Sequence, residues 1–184
     1  MVGLLGIQGA FRDHIPHLAR CGAGHTIVTD SHSLGCIDRL IIPGGESTVM
    51  TKFLLAFGLL DPLRERILAG MPVWGICAGA ILLAREVDSA PGPLGALPVH
   101  ATRNAYGRQI KSSQRLIDVP HLEIFDYPAI FIRAPRVDVL SPSVTIHAEC
   151  GHNPVFVQSK RIMATTFHPE LDPDDRFHRY FLSL

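Results

Sequence analysis

A three-layer α/β fold is what this sequence predicts: a mostly parallel central sheet with helices on both faces, and an antiparallel, β-rich portion in the second half. In the first half, short apolar runs bounded by glycine and proline alternate with longer segments of helical periodicity, the pattern of parallel strands joined by crossover helices. After about Pro91 the runs become β-rich and several are separated by only a few turn residues, as in antiparallel pairing.

Taken in order, the strands expected in the first half are Val2 to Ile7, His25 to Thr29, Arg39 to Ile42 and Val73 to Ile76. Between them Phe11 to Arg20, Thr48 to Phe57 and Pro62 to Ala69 carry apolar residues at helical spacing, and Ala78 to Glu86 reads as a helix after the fourth strand. Each crossover should be right-handed. The second half offers Val99 to Thr102, Gln109 to Leu116, Ala129 to Arg133, Thr145 to Glu149, Val155 to Gln158 and Ile162 to Phe167 as strands. Gly151 to Pro154 and Ser159 to Arg161 read as tight connections, and Asp174 to Leu182 as a closing helix.

With 184 residues and 47% hydrophobic content, the chain suits one domain with a two-sided core. Lys plus Arg and Asp plus Glu both number 17, so no net field draws the chain to nucleic acid or an anionic membrane. The N-terminal Val2 to Ile7 run reads as a core strand rather than a leader, and no apolar stretch is long enough to span a bilayer. Cys21, Cys36, Cys77 and Cys150 are scattered without a C-x-x-C pair, which fits neither a disulfide framework nor structural zinc and points to a reducing cytoplasm. His14 with His17, or Cys150 with His152, could be half of a metal site, but neither has a second half at ligand spacing, so no metal is expected.

The most informative segment is Pro72 to Ala84, an apolar strand running through Gly75-Ile76-Cys77-Ala78-Gly79 into a helix. This is the cysteine form of a nucleophile elbow, in which a strained turn holds the nucleophile clear of the sheet and flanking glycines let neighbouring backbone pass. The alternative reading, a small buried hydrophobe, suits Cys21, Cys36 and Cys150, which lack that setting. A thiolate that attacks an amide needs a histidine to protonate the leaving group and a carboxylate to orient that histidine. Phe167-His168-Pro169-Glu170 supplies both at the end of an apolar strand. If the segment is extended, His168 and Glu170 project to the same side.

Ile41 to Thr48 is a second strand that enters a glycine-rich turn and then a helix, but it lacks the lysine and the spacing of a phosphate-binding loop. An oxyanion hole suits it better, with an N–H of Gly44 or Gly45 joined by that of Ala78. Adjacent glycines reorient their shared peptide cheaply, so such a hole could be switched. A pocket for an amino acid also needs acidic and guanidinium groups, for which Glu46, Arg103 and Arg133 are candidates near strand ends.

These residues together resemble the glutaminase subunits of pyridoxal 5'-phosphate synthase, a family of class I glutamine amidotransferases. The likeness spans essentially the whole chain. It rests on Gly6-Ile7-Gln8-Gly9-Ala10 with His14, Pro43 to Thr48, Cys77-Ala78-Gly79, Arg103 to Gln109, Ile132 to Pro135 and Phe167 to Glu170. The resemblance implies a class I amidotransferase fold, with Cys77 as nucleophile and His168 and Glu170 as its relay. It further implies L-glutamine contacts from Gly45, Glu46, Ser47, Arg103, Ile132 and Arg133, and places Gln8 in a block tied to a partner interface and activation. The implied partner is a barrel-shaped synthase subunit that uses the ammonia with ribose 5-phosphate and glyceraldehyde 3-phosphate. Pyridoxal phosphate is then the product of the complex, and no cofactor of this chain is implied. Ile76, Ala80 and Lys111 depart from the family's usual residues without touching the triad. The rival readings are a class I amidotransferase serving a different synthase, a cysteine hydrolase acting on other amides, and a non-catalytic regulatory subunit of the same fold.

Overall fold

The computed structural model describes residues 1–105 and 112–184. From the N-terminus the chain forms β1 (Val2–Leu5), α1 (Ile15–Arg20), β2 (His25–Val28), α2 (Ser31–Gly35), β3 (Arg39–Ile42), α3 (Ser47–Ala56), α4 (Leu60–Leu68), β4 (Val73–Ile76) and α5 (Ala78–Leu83). It continues through β5 (Ala84–Val87), β6 (Ala90–Pro91), β7 (Leu97–Thr102), β8 (Ser112–Val119), β9 (Ile124–Ile132) and β10 (Arg136–Val139). The last elements are β11 (Thr145–Cys150), β12 (Asn153–Ser159), β13 (Ile162–Thr165) and α6 (Arg176–Ser183).

A seven-stranded sheet in the order β11-β12-β13-β4-β3-β1-β2 forms the middle layer. The run from β13 to β2 is parallel, while β11 and β12 add antiparallel strands at one edge, through the turns expected at Gly151 and Lys160. Both turns hold left-handed residues, Gly151 at φ 63° and Lys160 at φ 53°. A four-stranded sheet (β10-β7-β5-β6) and the β8-β9 hairpin complete the β structure.

Alternation along the parallel strands sends side chains to both faces. Leu40 and Ile42 of β3 and Val73 of β4 join Met50, Leu54, Leu63, Ile67, Leu82 and Leu83 on the face covered by α3, α4 and α5. Ile41, Trp74 and Ile76 point the other way, to Leu18 of α1, Phe177 and Phe181 of α6, and Ile117, Ile124 and Tyr127 of the hairpin. Trp74 is fully buried, and its indole N–H donates to the Thr165 hydroxyl at 3.1 Å. Without that acceptor the indole donor would be stranded in the core, at a cost of about 1–3 kcal/mol. Ile76 and Ala80, the departures noted in the sequence, are buried on opposite faces as apolar core.

The expected architecture is present, with local corrections. The helix expected over Ala78 to Glu86 ends at Leu83, because Ala84 turns extended (φ −55°, ψ 142°) and β5 pairs with β7. Gly92 makes that corner possible, since a Cβ there would lie 1.8 Å from the Ala84 carbonyl oxygen. The Phe11 to Arg20 segment opens as a 3-10 turn over Phe11–His14 before α1 begins. Helix α2 was not foreseen. It is five residues long, too short to show periodicity, and is nucleated by a reciprocal cap in which the Ser33 N–H donates to Asp30 Oδ1 at 2.7 Å and the Asp30 N–H to Ser33 Oγ at 3.2 Å. Strands β6 and β10 were likewise missed, and residues 109–111 of the Gln109 to Leu116 strand, with Lys111, lie outside the described residues. Among the described residues no helix is long and apolar enough to cross a membrane.

Candidate active site

Parallel pairing brings the C-terminal ends of β1, β3, β4 and β13 level, with Leu4 opposite Ile41, Ile42 opposite Gly75 and Ile76 opposite Thr165. The loops that leave those ends therefore meet at one rim of the sheet, where sites in open α/β folds form. They enclose a cleft of about 590 Å³ lined by Gly9, Ala10, Gly44, Gly45, Glu46, Ser47, Thr48, Cys77, Ala78, Ile81, Asp88, Arg103, Asn104, Ile132, Arg133 and His168.

Cys77 stands between β4 and α5 with φ 49° and ψ −98°, a strained conformation for a residue with a side chain. Its backbone is fixed from both sides: the N–H donates to the Thr165 carbonyl at 2.8 Å, and the C=O accepts from Ile81 at 3.2 Å. Gly79 is obligatory here, since a Cβ would meet the Ile42 carbonyl oxygen at 2.2 Å and push α5 away from β3. The thiol faces the Ile132 carbonyl at 3.7 Å and is 7% exposed, on the wall of the cleft.

His168 follows β13, its N–H bound to the Ile130 carbonyl at 2.9 Å, and its Nδ1 meets Glu170 Oε1 at 2.7 Å. The sequence reading expected this pair to be presented by extended backbone. Instead Pro169–Leu171 is a 3-10 turn with His168 at its N-cap, and the turn folds the carboxylate back onto the ring. The Glu170 side chain is fully buried. Burial alone would lower the pKa of His168, but the interaction with the nearby Cys77 thiol, the Glu170 hydrogen bond and the charges of both partners outweigh it and raise it to about 10. Burial would likewise raise that of Glu170, yet the His168 hydrogen bond, with the charges of His14 and His168, brings it below the ordinary carboxylate value. Nε2 of His168 has no hydrogen-bond partner and lies on the side of the ring away from Glu170.

Gly44 packs against His168 so closely that a Cβ would lie 2.4 Å from the ring's Cε1. Its carbonyl accepts from Ala10 N–H at 3.0 Å, which fixes the orientation of the Gly44–Gly45 peptide. Gln8 does not line the cleft. Its Oε1 accepts from the Glu46 N–H at 2.9 Å, so it braces the glycine turn from behind.

Ser47, Arg103, Ile132 and Arg133 reach the cleft as expected, Arg133 in a left-handed conformation at φ 47°. Glu46 reaches it too, but its carboxylate serves as the cap of α3, accepting from the Thr48 hydroxyl at 2.5 Å, the Thr48 N–H at 3.2 Å and the Val49 N–H at 2.9 Å. The Thr48 hydrogen bond is the largest influence holding its pKa low. The acidic partner in this part of the cleft is one the sequence reading missed. Asp88 accepts from Arg103 at both its N–H (2.9 Å) and its Nε (2.7 Å), and these contacts lower its pKa. Its only sequence signal was proximity to β5, and the expected helix over Ala78 to Glu86 concealed that.

Among the described residues, no group of three or more His, Cys, Asp or Glu side chains is arranged to hold a metal ion. His14 and His17 are buried against His178 rather than paired at a surface, and Cys150 is a free thiol at the end of β11.

Comparison with known proteins identifies the family and the fold. A family model described as the SNO glutamine amidotransferase family matches residues 4–184. The chain belongs to that family. A pyridoxal 5'-phosphate synthase subunit PdxT from Pelotomaculum thermopropionicum is 45% identical over 98% of this chain and 93% of its own length. One of the same name from Fervidobacterium nodosum is 40% identical over 100% of this chain and 96% of its own. A crystal structure of a glutamine amidotransferase superposes with a TM-score of 0.91 at 40% identity, covering 99% of this chain and 97% of that one. A more distant neighbour, a putative GMP synthase subunit from Thermoplasma acidophilum, has a TM-score of 0.70 at 19% identity and shares the amidotransferase fold alone. The family resemblance drawn from six sequence blocks is thus borne out over the full chain, as is the fold class.

Proposed function

We propose that this amidotransferase hydrolyses L-glutamine to L-glutamate and ammonia, and passes the ammonia to a synthase subunit that makes pyridoxal 5'-phosphate. The observation that carries the reading is the convergence in one cleft of a thiol on a strained elbow, a histidine, and behind it a buried carboxylate held 2.7 Å from the ring. The names of the full-length relatives support the choice of synthase.

In this reading the Cys77 thiol yields its proton to His168, and the sulfur attacks the side-chain carboxamide carbon of glutamine. Negative charge on the carbonyl oxygen is met by the N–H of Ala78 and an N–H of the Gly44–Gly45 turn. His168 gives its proton to the departing nitrogen, which leaves as ammonia and a γ-glutamyl thioester. Water, deprotonated by His168, then cleaves the thioester to glutamate and the free thiol. Glu170 keeps the imidazole oriented throughout and needs no proton of its own. Reversing the Gly44–Gly45 peptide would cost the hydrogen bond from Ala10, so a partner that touches the Gly6–Ala10 loop or Gln8 has a physical route to the oxyanion turn.

The test is ammonia release from glutamine, with and without a pyridoxal 5'-phosphate synthase subunit from a related complex. Release stimulated by that subunit supports the reading, whereas release stimulated only by another synthase reassigns the partner. No release under any condition leaves a non-catalytic module. Because Arg103 is presented to the cleft by Asp88, Asp88→Asn is expected to raise KM for glutamine about tenfold while changing kcat far less, the scale of one charge-assisted pair. Steady-state kinetics in the stimulated complex measure this, and an unchanged KM would remove Asp88 from substrate recognition.

A further inference from the structure

Behind the triad carboxylate lies a buried histidine cluster that the proposed reaction does not use. His14 and His178 are fully buried and His17 is 3% exposed. Nδ1 of His14 meets Nε2 of His178 at 2.9 Å. The His178 ring stacks on His17 at 4.2 Å with 5° between the planes, and Trp74 stands edge-on to both His14 and His178. His17 in turn holds the turn that bears Glu170, with Nε2 3.2 Å from the Glu170 carbonyl and Nδ1 2.8 Å from Asp175.

Several buried polar atoms here lack partners, Nδ1 of His178 and the Tyr127 hydroxyl among them, and two of these atoms are complementary: Nε2 of His14 and Oε2 of Glu170. They belong to neighbouring turns, Phe11–His14 and Pro169–Leu171, which pack together. Unpaired polar atoms in a core are costly enough that each calls for an explanation. The tautomers supply one. Burial lowers the pKa of His14 to about 4 and that of His178 to about 2, so both rings are neutral near pH 7 and each carries one N–H. When Nε2 of His178 donates to Nδ1 of His14, the His14 proton must sit on Nε2. The opposite arrangement, with Nδ1 of His14 as the donor, would put the His178 proton on its own Nδ1, a buried N–H with no acceptor.

We infer that His14 is a positioning residue of this site, its Nε2 donating to the outer oxygen of Glu170 across one bridging water, and so fixing the carboxylate that orients His168. The inference rests on the triad reading above. Tyr127 is the rival donor, since its buried hydroxyl is also unpartnered.

The experiment measures glutamine-dependent ammonia release by the full chain in its stimulated complex, for His14→Asn, His14→Gln, Tyr127→Phe, Glu170→Gln and the double variant His14→Asn with Glu170→Gln. Glutamine places an amide N–H near the position of Nε2, whereas asparagine reaches only that of Nδ1. The expected result is a fall in kcat of about tenfold for His14→Asn with KM nearly unchanged, substantial recovery in His14→Gln, and no further loss when His14→Asn is added to Glu170→Gln. Equal losses in the asparagine and glutamine variants, or losses that multiply in the double variant, would overturn the inference, as would a loss of kcat in Tyr127→Phe with none in His14→Asn. Should His14→Asn fail to fold, His178→Asn removes the donor to Nδ1. Its loss of kcat must also vanish in the Glu170→Gln background, and an undiminished loss there overturns the inference. If Glu170→Gln itself turns over normally, the triad reading fails first. If Glu170→Gln is crippled but does not mask His14→Asn, only the positioning role fails.

Discussion

Cys77→Ala is expected to reduce glutamine-dependent ammonia release by at least about four orders of magnitude, because a triad acts as a unit and loses nearly everything with its nucleophile. Nothing else in the cleft can replace the sulfur. Ser47 and Thr48 also line it, but they sit at the start of α3, where the hydroxyl of Thr48 is bound to the Glu46 carboxylate. The substitution should leave the fold intact. Alanine keeps the Cβ that cysteine already holds at φ 49°, so the strain of the elbow is unchanged, and only a weak 3.7 Å contact to the Ile132 carbonyl is lost. Melting temperature and glutamine binding by calorimetry should therefore stay close to wild type. Residual release above about one per cent of wild type, with the fold intact, would mean that the thiol is not the attacking group.

Glu170→Gln is the second large effect, with kcat lowered by roughly 10²- to 10⁴-fold and KM for glutamine little changed, on the scale seen when the orienting acid of a triad is neutralised. The amide can still touch Nδ1 of His168, but it can present an N–H there and so favour the wrong tautomer. A pH signature accompanies the loss. The pKa of Glu170 is lowered in the folded chain, so its ionised form contributes stability above the ordinary carboxylate value of 4.5, and that contribution is lost as pH falls through the depressed pKa. The pKa of His168 is raised from 6.5 to about 10, so its contribution is complete below 6.5 and is lost as pH rises through about 10. Thermal melts of the wild type should weaken toward both extremes, and Glu170→Gln should flatten the acid limb and move the alkaline loss to lower pH. A profile that keeps both limbs would show that the two groups are not coupled.

The parallel core was legible because its strands are buried on both faces and read as unbroken apolar runs, so Arg39 to Ile42 and Val73 to Ile76 were placed to the residue. Cys77, Gly79 and His168 were legible for a related reason: each sits immediately after or close to such a strand, where direction and exposure follow from local backbone. What escaped depended on distant partners. Helix α5 stops at Leu83 because β7, well downstream, pairs with Ala84 onward, and no local residue announces this. Asp88 is useful only because that turn delivers it to Arg103. The His168 and Glu170 contact was anticipated but its backbone was not, since Pro169 starts a 3-10 turn as readily as it continues an extended segment. His14 and His178 meet across 164 positions of sequence, beyond any periodicity.

The cleft has no single wall of its own. Its surfaces come from segments that follow β1, β3, β4 and β13 and from the ends of β5, β7 and β9 in the smaller sheets, with main-chain bonds joining Ala10 to Gly44 and Cys77 to Thr165. A partner that settles over the thiol therefore meets segments from widely separated parts of the chain. A push on the first loop reaches the glycine turn through the Ala10 bond, and there Gly44 lies directly against the imidazole of His168.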